Sequence, residues 1–170
     1  MRAKHSIATL FILFFLSAAL FAGPGLNKPA PDFTLIDSHG KKHTLSDYQG
    51  KYVVLEWVNF GCPFVRKHYN SGHMQKLQAL YTSKDVVWLS ICSSAQGKQG
   101  YMASNDEINE KLAEEGQKST AYLIDAEGRV GRMYDAKTTP HMFVINKEGI
   151  LVYDGGVLGR FCDPESDRRK

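Results

Sequence analysis

The chain has 170 residues, with 21 lysines and arginines against 18 aspartates and glutamates, and 43% of its residues are hydrophobic. This length suits one domain with a substantial core. The nearly balanced charge excludes a strongly basic nucleic-acid-binding protein, so no nucleic-acid partner is expected.

The N-terminal residues 1–22 have the pattern of a secretory signal peptide. Arg2 and Lys4 precede an almost wholly apolar stretch at residues 7–21, and the small residues Ala22 and Gly23 follow it. A basic region, an apolar region and a small-residue cleavage site in this order are typical of exported proteins. We expect cleavage after Ala22 and a periplasmic or secreted protein, with an uncleaved membrane anchor as the alternative.

An antiparallel ribbon is predicted next. Residues 29–36 form its first strand, residues 37–40 a turn, and residues 41–45 its second strand. A short helical turn closed by Gly50 follows. The ribbon leads into the stretch on which the functional prediction depends.

That central stretch joins a buried strand to a helix through a cysteine. Residues 52–58 are rich in β-branched and aromatic side chains, which predicts a buried strand. Cys62-Pro63 then begins a segment with helical spacing, which we expect to reach about Lys84 with a weak point or kink at Gly72. Because proline is favoured at the first helical position, Cys62 is predicted at the N-cap.

A cysteine at the start of a helix is well placed to ionise. Free backbone N–H groups favour a negative charge there, so we expect the pKa of Cys62 to lie below that of an ordinary cysteine. Arg66, one helical turn on, is a candidate to stabilise the thiolate, and the alternative is a solvated helix charge. Cys62 is therefore the predicted nucleophile, with a buried apolar filler as the alternative.

The second half of the chain alternates strands with helices and ends in a hairpin. The predicted strands are residues 85–91, 120–124, 141–145 and 150–153, and the predicted helices are residues 105–116, capped by Asn105, and 130–134. Such alternation, closed by a hairpin, indicates an α/β three-layer sandwich with a mixed central sheet. Residues 158–170 are expected to be a polar tail.

The three cysteines, Cys62, Cys92 and Cys162, cannot all pair within one chain. In the oxidising compartment that export implies, a free thiol is more often reactive than accidental. Since reactive groups gather where parallel strands end, Cys62 and Cys92 are expected at the same edge of the sheet. Cys92 is the favoured resolving thiol and Cys162 the other candidate, and each has an unreactive thiol as its alternative.

Four short motifs follow one another along the chain: Ala30-Pro-Asp-Phe, Gly50-Lys-Tyr-Val-Val-Leu, Cys62-Pro-Phe-Val, and Thr139-Pro140 before a strand with a Lys-Glu-Gly hairpin. In this order they resemble the thioredoxin-like redoxins, and more narrowly the peroxiredoxin-like branch of the alkyl hydroperoxide reductase and thiol-specific antioxidant family. The resemblance implies a thioredoxin-like domain at about residues 26–157 that lacks or shortens the family's C-terminal helix. It also implies a cis Thr139–Pro140 bond, with Pro140 beside Cys62 and the Thr139 backbone facing an extended substrate; the alternative is an ordinary trans proline.

The chain departs from the family pattern at two positions near Cys62. Val65 occupies the place of a second active-site cysteine, so an internal Cys-X-X-Cys disulfide is impossible. Asn59 occupies the place where typical peroxiredoxins have a threonine, and its side chain is a candidate donor to a peroxide oxygen. The peroxide pocket is therefore less well supported than the thiol chemistry.

The resemblance implies a thiol-dependent antioxidant oxidoreductase in which the Cys62 thiolate reduces a peroxide or a disulfide and a protein or small thiol supplies the electrons. The alternatives are a monothiol disulfide-exchange protein and a redox-inactive thioredoxin-fold binding module of the cell envelope. No cofactor is expected, and no metal, because the six histidines suggest no complete ligand set with a cysteine. A homodimer is one way to cover the apolar sheet face that a shortened C-terminus leaves open.

Overall fold

The computed structural model describes residues 23–157, through which a seven-stranded mixed sheet runs. Its strands are, in chain order, β1 (Thr34–Asp37), β2 (Lys42–Thr44), β3 (Val53–Trp57), β4 (Val87–Cys92), β5 (Ala121–Ile124), β6 (His141–Ile145) and β7 (Leu151–Gly155). Their spatial order is β2-β1-β5-β4-β3-β6-β7. β3, β4 and β5 run parallel and the other neighbours are antiparallel, which confirms the predicted mixed sheet and ribbon. The predicted signal peptide, the tail with Cys162 and any C-terminal helix lie outside the described residues.

The described part of the chain also has a 3₁₀ helix and four α-helices. They are the 3₁₀ helix Leu45–Tyr48, α1 (Pro63–Asn70), α2 (His73–Thr82), α3 (Asn105–Glu114) and α4 (Arg129–Met133). One face of the sheet packs against Val65 of α1, Leu77 of α2 and Ile108 of α3, and the other packs against Val130 of α4. The predicted three layers are thus confirmed. None of these helices is long and apolar enough to cross a membrane.

The central position of β3 and β4 explains why their sequences are so apolar. Every residue of both strands is buried, because each has a neighbour on both sides and a layer on both faces. Parallel strands covered in this way have nearly continuous hydrophobic sequences rather than alternating ones. The pattern that predicts these strands is therefore a direct consequence of their place in the sheet.

The prediction of a single long helix after Cys62 is wrong. Two helices occupy that range, because Gly72 between them adopts a φ of 72°, a left-handed conformation that ends a helix and that glycine tolerates. The predicted N-cap of α3 is also displaced by one residue. Ser104 rather than Asn105 is the cap, and its hydroxyl accepts a hydrogen bond from the Glu107 N–H at 3.1 Å.

The direction of the strands determines what meets at each edge of the sheet. We call the edge at which β3, β4 and β5 end the upper edge. Because β6 is antiparallel to β3 and β7 is antiparallel to β6, β7 also ends at the upper edge. The chain therefore leaves the sheet at Gly155 on the edge that also carries Cys62 and Cys92.

Candidate active site

Cys62 lies at the upper edge as the N-cap of α1, as predicted. Its backbone is extended, with φ −77° and ψ 128°, and Pro63 is the first helical residue. Its carbonyl oxygen accepts the first helical hydrogen bond, from the Arg66 N–H at 3.0 Å. The N–H groups of Phe64 and Val65 have no partner within the helix, and they favour a negative charge on the Cys62 sulfur.

The Thr139–Pro140 bond is cis, as predicted, and it brings the chain to Cys62 from the neighbouring strand. This bond immediately precedes β6, in which His141 is in register with Trp57 of β3. The Cys62 thiol donates a hydrogen bond to the Thr139 carbonyl oxygen at 3.2 Å. Three predicted site residues are thus close in space, although Thr139 and Pro140 lie far from Cys62 along the chain.

The pKa of the Cys62 thiol lies below its ordinary value. Partial burial raises that pKa, but hydrogen bonds from the Thr139 side chain and from the backbone N–H groups of Val65 and Phe64 lower it by more. These donors favour the thiolate because they bind the anion more strongly than the neutral thiol. The Thr139 carbonyl oxygen acts in the opposite sense, since it accepts only from the protonated form. On balance, the site presents a nucleophilic sulfur at a lower pH than an ordinary cysteine does.

Arg66 and Asn59 do not contact the sulfur in the way the sequence suggests. Arg66 is exposed, and the lowered pKa of Cys62 arises from other groups. The Asn59 amide donates to the Gln99 carbonyl oxygen at 2.9 Å, and its own oxygen accepts from the Gly61 N–H at 2.8 Å. Asn59 therefore ties the loop after β4 to the turn before Cys62, and its role as a donor to peroxide stays a prediction.

Cys92 is the last residue of β4 and reaches the upper edge beside the turn that carries Cys62. It is buried, and its thiol donates a long hydrogen bond of 3.6 Å to the Gly100 carbonyl oxygen in the following loop. Both cysteines are free thiols. Their common edge is as predicted, because β3 and β4 are parallel neighbours. The resolving role of Cys92 stays a prediction.

Sequence reasoning missed Glu56, a fully buried carboxyl group in the middle of β3. Its donors are Tyr69 at 2.9 Å, Gln78 at 2.9 Å, Trp88 at 2.7 Å and Ser90 at 3.0 Å. Burial raises the pKa of Glu56, and the four donors oppose that rise. The cluster joins α1 and α2 to the two central strands. A charged residue within the apolar run at residues 52–58 was the signal for it.

The chemistry available at the site is that of the sulfur. Among residues 23–157 no three His, Cys, Asp or Glu side chains are grouped so as to hold a metal ion. His141, which follows the cis proline, has both ring nitrogens engaged, with Asp154 at 2.7 Å and with the Lys137 N–H at 3.3 Å. The site thus offers a nucleophile, donors that stabilise its anion, and the backbone carbonyl of Thr139 beside it.

Comparison with known proteins places this site in a family. A profile of the family described as Redoxin matches residues 26–157. The chain belongs to the Redoxin family. The resemblance inferred from the Cys62-Pro63 and Thr139-Pro140 motifs is thereby confirmed.

Relatives of this redoxin include both disulfide and peroxide enzymes. Thiol-disulfide oxidoreductase ResA of Geobacillus thermodenitrificans is 28% identical over 142 residues, which cover 83% of this chain and 73% of ResA. Peroxiredoxin Bcp of Bacillus subtilis is 25% identical over 134 residues, covering 75% of this chain and 82% of Bcp. These names agree with the predicted enzyme class, a thiol-dependent oxidoreductase.

Solved structures confirm the predicted thioredoxin-like fold. An uncharacterized conserved protein from Geobacillus kaustophilus superposes with a TM-score of 0.69 at 26% identity, covering 79% of this chain and 70% of the other. A putative thiol:disulfide interchange protein DsbE from Chlorobium tepidum gives a TM-score of 0.66 at 22% identity, with 86% and 96% covered. At that identity the second likeness concerns the fold alone.

Proposed function

We propose that this redoxin is a thiol-dependent oxidoreductase that exchanges disulfides through Cys62. The observation that carries the proposal is the Cys62 sulfur at the start of α1, with its pKa lowered, 3.2 Å from the backbone of Thr139. A substrate segment that lies extended against Thr139 brings its own sulfur to this thiolate. The relatives named thiol-disulfide oxidoreductases support the same reaction.

The exchange begins when the Cys62 thiolate attacks one sulfur of a substrate disulfide. A bond forms between the two sulfurs, the substrate S–S bond breaks, and the other substrate sulfur leaves as a thiolate. Because Val65 stands where a second cysteine would be, the mixed disulfide is released by another thiol. Cys92 is the internal candidate, Cys162 the candidate in the tail, and an external protein or small thiol the third.

Reduction of a peroxide is the second candidate function, favoured by the likeness to peroxiredoxin Bcp. In that reaction Cys62 becomes a sulfenic acid as the O–O bond breaks, and a second thiol then forms a disulfide with it and releases water. The Asn59 amide already donates one hydrogen bond to the Gln99 carbonyl oxygen, which leaves it fewer donors for a peroxide and supports the disulfide reaction. The N-terminal pattern of residues 1–22 supports work outside the cytoplasm, in the periplasm or after secretion.

One experiment tests the function and separates the candidates. Reduced protein, C62S and C92S are each given a protein disulfide or hydrogen peroxide, with a thiol reductant present when turnover is followed and without it when intact mass is measured. We expect C62S to lose all turnover and the unaltered protein to reduce the disulfide faster than the peroxide. If Cys92 resolves, the unaltered protein accumulates an internal disulfide and C92S remains as the mixed disulfide.

Two outcomes would contradict the proposal. A Cys62 that reacts with neither substrate faster than free cysteine would favour the redox-inactive binding module instead. Faster turnover of peroxide than of disulfide, together with a sulfenic acid trapped at Cys62, would make the antioxidant peroxidase the correct function.

A further inference from the structure

The two helices that follow Cys62 carry basic but no acidic side chains. Residues 63–84 contain Arg66, Lys67, Lys76 and Lys84 and no aspartate or glutamate. All four basic side chains are exposed, and within the described residues none forms an ion pair. This is unlike the nearly balanced charge of the whole chain, and two of the four charges, Arg66 and Lys67, lie on α1, the helix that begins at the reactive sulfur.

His68 of α1 lies close to other basic groups. Burial lowers the pKa of His68, and the charges of Lys67 and His73 lower it further. No acidic group within α1 or α2 offsets them, because those helices contain none. The face of α1 beside Cys62 therefore attracts anions.

Phe64 adds an apolar contact to this face. It is the second residue of α1 and lies two positions after Cys62, yet it is 70% exposed, more than any other large hydrophobic side chain among the described residues. Val65 and Tyr69, on the other side of α1, are buried in the core, so the helix does not need Phe64 for packing. An exposed aromatic ring beside a nucleophile is a contact for what docks there.

The turn before Cys62 borders a groove of the opposite charge. A groove of about 380 Å³ begins at Gly61 and is walled by α3, which contributes Glu107, Glu110 and Glu114. Its one basic side chain, Lys111, is paired with Glu114 at 3.2 Å and with Glu115 at 2.8 Å. An acidic partner is therefore attracted to α1 and repelled from the groove along α3.

We propose that the exposed side of α1, which carries Phe64 and Lys67 as neighbours three residues apart and Arg66 on its other flank, docks an acidic peptide segment of a partner protein. The inference rests on the proposed function, because the docked segment carries the cysteine that exchanges with Cys62. Its carboxylates face Arg66 and Lys67, and an apolar side chain covers Phe64. The aromatic contact selects a peptide over a small anionic thiol, and the single exposed apolar residue is a poor anchor for a membrane surface.

The test compares two peptides that differ only in charge. Each has one cysteine activated as a 2-pyridyl disulfide and one adjacent phenylalanine, flanked by either three glutamates or three lysines. The full chain carrying C92S and C162S has Cys62 as its single thiol. Its thiolate attacks the peptide sulfur, the S–S bond breaks, and the released pyridinethiolate takes up a proton and is measured by its absorbance.

We expect the acidic peptide to react on the order of 10-fold faster than the basic one at low ionic strength, because surface charge acts mainly on association rates. The ratio should fall towards one in about 0.5 M salt, as screening shortens the range of these charges. R66E/K67E should reverse the preference. K84E/K147E makes the same charge change at the edge of the sheet opposite Cys62, where β4 begins and β6 ends, and should leave the preference intact.

Several results would overturn the inference. Equal rates for both peptides, or a preference unchanged in R66E/K67E, would show that α1 does not select by charge. Glutathione disulfide reacting as fast as the acidic peptide would remove the need for a docked peptide. Binding to phosphatidylglycerol vesicles that depends on Arg66 and Lys67, without any peptide preference, would assign the face to a membrane. If Cys62 reacts with neither peptide, the proposed function itself fails.

Discussion

The Cys62 sulfur is stabilised as an anion by backbone N–H groups and a hydroxyl group rather than by a cation. Sequence alone predicted its N-cap position, because Pro63 is a local signal for the first helical residue. It also suggested Arg66 as a stabiliser, but the side chain extends into solvent, and the direction of a long exposed side chain is not encoded by its spacing from the cysteine. Glu56 was missed because its donors come from several different elements of the chain.

The Thr139 hydroxyl provides a test of this account of the thiolate. In T139V the hydroxyl is lost but the carbonyl oxygen remains, so we expect the pKa of Cys62 to rise towards the ordinary value of about 8.5. The pKa is measured as the midpoint of the pH dependence of Cys62 alkylation, in protein carrying C92S and C162S. T138V changes the adjacent exposed threonine and serves as the matched control. An unaltered midpoint in T139V would assign the lowered pKa to the backbone N–H groups alone.

The loop between β4 and α3 is held against the active-site turn by one side chain. Asn59 bonds the Gln99 carbonyl oxygen, and Gly100 packs so closely on Asn59 that an added Cβ atom would lie 2.3 Å from its amide oxygen. Contacts of this kind join residues about forty positions apart and leave no periodic pattern, so the sequence predicted the strands and helices but not this junction. The separation of α1 from α2 was missed for a related reason, since a glycine inside a helical pattern either bends or ends the helix.

Loss of the Asn59 contact should expose Cys92, whose thiol bonds Gly100 in the same loop. In protein with Cys92 as its single thiol, we expect N59A and G100A each to speed Cys92 alkylation several-fold. Gly97 has a φ of 76° and open space where a Cβ atom would lie. G97A therefore strains the backbone as G100A does but places no Cβ atom against Asn59, which makes it the matched control. The double variant N59A/G100A should speed Cys92 alkylation by less than the two single effects combined, because both changes remove the same contact. Equal effects of G97A and G100A would show that backbone conformation, not the Asn59 contact, holds the loop.

At the scale of the whole molecule, a buried carboxylate holds together the β1–β2 ribbon at one side of the sheet. Asp37, at the end of β1, accepts hydrogen bonds from the His39 and Lys41 N–H groups at 2.9 and 2.8 Å and pairs with His43 at 2.8 Å. Burial raises the pKa of Asp37, but these bonds and the His43 charge together lower it by more, to below its ordinary value. The predicted ribbon is confirmed, yet nothing in its sequence indicated that a buried carboxylate closes it.

The lowered pKa of Asp37 makes part of the stability depend on pH. Because the folded protein holds this carboxylate ionised more strongly than the unfolded chain does, the contribution is present above the ordinary aspartate pKa of about 3.9 and is lost as the pH falls below it. We expect D37N to lower the free energy of unfolding by about 1–3 kcal/mol at pH 7, with the difference narrowing below about pH 4. Urea unfolding of both proteins at a series of pH values measures this difference in the free energy of unfolding. D47N changes an exposed aspartate and should have little effect at any pH, whereas a D37N deficit that stays constant into strong acid would contradict the linkage.

The direction of β7 has a practical consequence for protein engineering. The strand delivers the chain to the upper edge, so a reporter fused behind Gly155 emerges next to the nucleophile and not at the remote end of the sheet. A biotin-transferring enzyme attached there would label whatever approaches Cys62 during turnover, and a redox-sensitive fluorophore would follow its oxidation in living cells.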